Sequence, residues 1–188
     1  MSGNNLASAD LSWLIPKQTR ERWRLETVPE WGEVIFLPPA QTSLLEIASY
    51  LDFSKREAAG SIGHGWFCTV PGDVLRAPCL ARHLLTWHSH PDGDCRFSFQ
   101  DWLAFLWSDA IATCLFTVHA VRTLVKQEDG QCEKLCREIR GISAEHPQLM
   151  RQRALRLVDS TLGHSLLACT DEQIAGALGI DHRLLNYA

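Results

Sequence analysis

Two histidines at 88 and 90 and an aspartate at 101 sit in a segment whose pattern leaves few ways to fold. The residues are His88-Ser89-His90-Pro91, a short spacer, then Ser98-Phe99-Gln100-Asp101. The preceding run Leu84-Leu85-Thr86-Trp87 is apolar and β-prone, so the histidines should end a strand. Residues i and i+2 of a strand project from one face, which turns both imidazoles toward one point and Ser89 away from it. Pro91 has no amide hydrogen and should stop the strand. The loop Asp92-Gly93-Asp94-Cys95-Arg96 gives the chain room to turn back. The apolar stretch from Trp102 to Trp107 reads as a helix with Asp101 at its start. Two imidazoles and one carboxylate make a three-ligand zinc set that leaves a fourth position open, as catalytic zinc requires.

Ser98-x-x-Asp101 has a second reading. A serine followed three residues later by an acid is a capping box, which satisfies amides at a helix start. The two roles are compatible, since a capped turn would hold a ligand rigidly. Cys95 lies between the ligands, and thiolates bind zinc well. It is therefore a candidate contact to the metal or a block of the open position, beside the plainer reading as a loop cysteine.

The segment Trp87-His88-Ser89-His90-Pro91 with Ser98-x-x-Asp101 resembles the signature of the JAMM (MPN+) metalloproteases. That family includes zinc deubiquitinases and bacterial JAB-domain relatives. It also carries a glutamate upstream, at the start of a strand that follows a helix. Glu57 in Arg56-Glu57-Ala58-Ala59-Gly60-Ser61-Ile62-Gly63 matches that position, with the helix-like run Leu44 to Leu51 before it. Glu46 falls inside that run and fits worse. The resemblance covers roughly residues 34 to 126. It implies a cytidine-deaminase-like fold, a mixed β-sheet flanked by helices. It further implies zinc on His88, His90 and Asp101, Glu57 as general base and Ser98 as an oxyanion donor. The implied activity is zinc-dependent isopeptidase or peptidase cleavage after the C-terminus of a ubiquitin-like protein. Its implied setting is a ubiquitin-like conjugation or antiviral defence pathway with E1- and E2-like enzymes. Processing of a sulfur-carrier protein is the alternative substrate class, and a non-catalytic MPN-type scaffold the alternative without chemistry. Scaffolds of that kind typically lose metal ligands, and all are present here.

Composition bounds the remaining classes. The chain's 188 residues suffice for one domain with extensions. A net charge of -4 gives no footprint for nucleic acid or a membrane surface. Arg151, Arg153 and Arg156 read as the solvated side of a helix. The seven cysteines (68, 79, 95, 114, 132, 136 and 169) are odd in number and irregular in spacing. They are expected as reduced thiols, which points to the cytoplasm. No leader-like segment and no membrane-spanning apolar run is evident.

Residues 1–33, with Trp13, Trp23 and Trp31, are expected to form an N-terminal extension, and 34–188 the metalloprotease domain with a helical extension from about 132. Val34 to Leu37 reads as a strand and Leu44 to Leu51 as an amphipathic helix. Ala58 to Val70 is strand-like with glycine bends, followed by a Pro71-Gly72 turn. Ala112 to Val121 reads as one β-prone run that Arg122 to Lys126 either continues or pairs with. Cys132, Leu135, Cys136 and Ile139 follow helical spacing, Leu149 to Leu167 reads as a longer helix, and Thr170 opens a last short one. The alternation predicts an α/β or α+β domain. Thr170 to Ile180 resembles the first helix and turn of a helix-turn-helix, but the short acidic remainder favours packing onto the domain. A zinc deaminase would need H-x-E and P-C-x-x-C, which are absent.

Overall fold

The structure is a computed structural model that describes residues 24–28, 32–36, 43–63, 66–70, 85–127, 130–145 and 147–187. It is a mixed α/β fold built on an eight-stranded sheet in the order β1-β2-β4-β3-β5-β6-β7-β8. The strands are β1 Arg24–Val28, β2 Gly32–Phe36, β3 Ala59–Gly63, β4 Trp66–Val70, β5 Leu85–Ser89, β6 Ala112–Phe116, β7 Ala120–Lys126 and β8 Ile180–Asn186. The helices are α1 Leu44–Tyr50, α2 Phe99–Trp107, α3 Gln131–Glu145, α4 Met150–Leu162 and α5 Asp171–Leu178. Strands β5 and β6 pair in parallel, and the other pairs are antiparallel. A parallel pair needs a crossover. Here the crossover carries α2, which brings Asp101 back over the end of β5.

Helices cover both faces, and the alternation along each strand assigns the residues. On one face Leu115, Leu124 and Ile180 pack with Trp102, Leu106, Leu135, Ile139, Val158 and Leu178 from α2–α5. On the other, Trp87, Cys114, Phe116 and Val121 pack with Ile47, Ala48 and Leu51 of α1. Phe53 stacks on Phe116 with centroids 4.8 Å apart, and Trp87 meets Phe116 edge-on at 6.0 Å. Each such pair is worth about 0.5–1.5 kcal/mol beyond its buried area. Trp87 directly precedes His88, so this aromatic cluster locks the strand that presents the histidines.

Several expected elements need correction. The sheet starts upstream of residue 34, because β1 lies within the segment read as an extension and pairs with β2. Trp13, Trp23, Trp31, Cys79 and the Pro71-Gly72 turn lie outside the described residues. The β-prone run from 112 to 121 is two strands of an antiparallel hairpin. Neither glycine nor proline marks its turn. Instead, Thr117 Oγ1 accepts from the amides of His119 (3.2 Å) and Ala120 (3.0 Å), a side-chain turn that replaces those signals. The expected helix 149–167 stops at Leu162, where Gly163 takes φ +72°, and a short 3₁₀ turn, Leu166–Ala168, follows. The region from 132 is no appended helical extension. Its helices form much of the main core, and its last element is a strand, β8, paired with β7 along its length. The helix-turn-helix-like run is therefore helix then strand, packed onto the domain as its acidic balance suggested.

Candidate metal centre

The register of β3 and β5 sets up the site. Ala59 lies opposite His88, and Ser89 N donates to Ala58 O at 2.9 Å. Two residues before Ala59, Glu57 comes to the same side of the sheet, beside His90. Ser89 points to the other side, where its Oγ accepts from Ala58 N at 3.0 Å. His90 is just past β5, yet its amide still donates to Phe116 O at 2.9 Å, so it keeps the strand's direction.

The loop then folds tightly. Gly93 has φ +80°, and a Cβ there would meet the His119 ring at 3.4 Å and Val118 at 3.5 Å. Only glycine takes this turn without strain. Asp94 carries an Arg96 fork, with NH2 to Oδ2 at 2.9 Å. Its carbonyl lies 3.0 Å from His90 Nδ1. A carbonyl can only accept, so Nδ1 carries the proton and the Nε2 lone pair is left for a cation.

Ser98 is the N-cap of α2, with the full capping box in place. Asp101 N donates to Ser98 Oγ at 3.2 Å, and Ser98 N donates to Asp101 Oδ2 at 2.7 Å. The same Oδ2 lies 3.5 Å from His88 Nε2 and 3.5 Å from His90 Nε2. A tetrahedral site with bonds of about 2.0–2.1 Å has edges of about 3.4 Å, so these separations suit one ion between the three donors. His88 Nε2 is buried and makes no hydrogen bond among the described residues. Buried polar atoms rarely go unpartnered, and an ion would supply the partner. His88, His90 and Asp101 thus form a cluster able to hold a metal ion.

Electrostatics agree with the packing. Burial works against the Asp101 carboxylate, but the adjacent His88 and His90 side chains and the hydrogen bond from Ser98 outweigh it, holding its pKa well below the usual carboxylate range. Burial likewise disfavours protonated His90, yet Asp101 and the Asp94 carbonyl raise its pKa. Glu57 is pushed the other way from Asp101. Burial raises its pKa, and the nearby His90 and His88 charges offset only part of this. A cleft of about 1050 Å³ exposes all of these groups, with Glu57, His88, His90, Ser98 and Asp101 in its wall.

Cys95 is a correction. Its Sγ lies 3.6 Å from Gly93 O and 3.4 Å from Thr117 Oγ1, and it is outside the donor cluster. The loop turns it toward the β6–β7 hairpin, away from the three donors. The cysteines 95, 114, 132, 136 and 169 are free thiols. No helix among the described residues is long and apolar enough to cross a membrane.

Two residues around the site escaped the sequence reading, Arg122 and Asp171. Both are buried and paired at 3.0 Å. A signal for Arg122 was available. It sits mid-strand in Val121-Arg122-Thr123-Leu124 at an inward position, and a buried guanidinium demands a buried counter-charge. Nothing local identified Asp171 as that partner.

Fold and donor set together define a mixed α/β protein with a candidate three-donor metal centre. No protein-family model, no curated protein and no solved structure matches the chain.

Proposed function

We propose that the chain is a JAMM-type zinc metalloprotease that hydrolyses the amide bond after the C-terminus of a ubiquitin-like protein. The observation that carries the reading is the placement of Asp101 Oδ2 at 3.5 Å from both imidazole Nε2 atoms, in a cleft that Glu57 also lines. Imidazole and carboxylate donors at this spacing suit zinc. Bound zinc would supply Lewis acidity, polarising the scissile carbonyl and bringing the pKa of a water down to about 7.

The chain's own residues supply the rest. Glu57 takes the proton of the attacking water on a carboxylate oxygen and returns it to the leaving amine. Its raised pKa suits both halves of that transfer. Ser98 Oγ accepts from the Asp101 amide, which leaves its own hydrogen to donate to the oxyanion of the tetrahedral intermediate. Products are a carboxylate and an amine. An extended ubiquitin-like tail suits an open cleft beside a sheet, where backbone hydrogen bonds supply affinity. Conjugates of such a protein, with the E1- and E2-like enzymes of the same pathway, are the proposed partners.

The test is incubation of the zinc-loaded protein with a panel of ubiquitin-like fusions, beside Glu57→Gln. Cleavage after the ubiquitin-like C-terminus is expected for wild type. The variant should keep zinc and fold while turnover drops by roughly 10²–10⁴. Zinc-loaded wild type that cleaves no fusion would favour a binding scaffold. Equal rates in both proteins would remove Glu57 as the base.

A further inference from the structure

Helix α2 delivers Asp101, and it is fixed at both ends by groups outside it. At its C-terminal end, Lys126 Nζ donates to Phe105 O at 2.7 Å and to Ser108 O at 3.0 Å. At its N-terminal end one carboxylate from α5, Asp171, does the fixing. Asp171 Oδ1 accepts from Trp102 Nε1 at 2.7 Å. Asp171 Oδ2 accepts from Phe97 N at 3.1 Å and pairs with Arg122 NH1 at 3.0 Å. The two charged side chains are 3% and 8% exposed, so neither is held by solvent.

The two gripped residues are the immediate neighbours of the capping box. Phe97 precedes Ser98, and Trp102 follows Asp101. The Phe97 ring also packs on His88, with centroids 5.6 Å apart, and on Trp102 at 6.0 Å. One carboxylate therefore ties the turn that bears the third donor and the ring that backs the first.

We propose that Asp171 is a positioning residue of the metal centre. Held by Arg122, it fixes the turn 97–102 so that Asp101 Oδ2 stays within reach of both histidines. The assignment rests on His88, His90 and Asp101 being a metal centre. Helix initiation alone does not require it, because Ser98 and Asp101 already cap α2. Helix α1 opens on the same kind of box, Ser43 with Glu46, at the exposed surface. A buried carboxylate that accepts from both sides of the donor turn acts on placement. Groups behind metal ligands typically change metal affinity 10- to 100-fold when removed.

The experiment compares wild type with Asp171→Asn, Trp102→Phe and the double variant Asp171→Asn with Arg122→Met. Asparagine can still accept from Trp102, but its amide nitrogen would then face Phe97 N–H and Arg122, both donors. Trp102→Phe removes one arm and leaves the ion pair. The double variant removes both buried charges together, so the guanidinium is not left with the exposed Glu172 carboxylate, 3.0 Å from NH1, as its remaining counter-charge, and the fold stays testable. The readouts are thermal unfolding, zinc affinity by chelator competition, and the visible spectrum of the cobalt(II)-substituted protein. Expected for Asp171→Asn is roughly 10- to 100-fold weaker zinc binding and an altered cobalt spectrum, with a smaller change for Trp102→Phe. The double variant should regain thermal stability without regaining the wild-type spectrum. If Asp171→Asn fails to fold, the other two variants carry the test. Wild-type affinity and spectrum in the folded variants would overturn the role of Asp171 while leaving the metal centre intact. A wild-type protein that takes up no stoichiometric metal would overturn both.

Discussion

Of the three capping boxes among the described helices, two pair a serine with an acid, and only one of those two acids joins a cluster able to hold a metal ion. In α1, Glu46 N donates to Ser43 Oγ at 3.1 Å and Ser43 N donates to Glu46 Oε2 at 3.3 Å, all at the exposed surface. In α2, Ser98 and Asp101 repeat the pattern at 3.2 and 2.7 Å. The Asp101 oxygen is largely buried and faces two imidazoles. The acid of a capping box is fixed in place by the box itself. A fixed carboxylate becomes a ligand when the sheet brings other donors to it. The difference between the boxes is thus in what packs around them.

Metal content should separate them most sharply. Asp101→Ala removes a donor as well as the box acid, and we expect loss of stoichiometric zinc by mass spectrometry of the purified protein. Glu46→Ala removes only a cap contact and should retain the zinc. Equal zinc in both variants would erase the distinction.

Turnover should separate the two serines next. Losing an N-cap costs about 1 kcal/mol of stability in either helix. Losing an oxyanion donor costs on the order of 3 kcal/mol of transition-state stabilisation, about a hundredfold in kcat. Ser98→Ala should therefore melt slightly lower and cleave about a hundredfold slower, while Ser43→Ala should melt slightly lower at an unchanged rate. An unchanged kcat in Ser98→Ala would make it a cap and nothing more.

The smallest effect is a proton dependence that only the α2 box should show. Asp101 and the Asp94 carbonyl raise the His90 pKa above 6.5. A protonated imidazole cannot ligate, so zinc affinity should start to fall at a pH above 6.5 as the medium is acidified. In the metal-free protein the dependence runs the opposite way. A raised histidine pKa contributes stability that is present below 6.5 and lost as pH rises through the folded-state value. Chelator competition across this range measures the first effect, and thermal unfolding of the metal-free protein the second. Affinity that stays flat down to pH 6.5 would show that Asp101 does not act on His90.

The strand that ends at the two histidines, the capped helix with its aspartate, helix α1 and the four helical core positions from Cys132 to Ile139 were all legible in the sequence. Each is encoded within a few residues, by alternation, by a proline stop, by a serine three residues before an acid, or by helical spacing. The hairpin turn at 117–119 was not, because a threonine side chain does the work that glycine usually marks. Strand β8 was not, because Ile180 to Asn186 carries Asp181, His182 and Arg183, and gains its strand character from pairing with β7. Sequence thus determined which donors the chain has and how β5 and α2 present them. Only the tertiary structure decided that Glu57 stands beside them, that Cys95 turns away, and that Asp171 and Arg122 meet in the core. Those contacts join residues far apart in the chain. Their energy comes from desolvation and pairing at positions that local pattern does not specify.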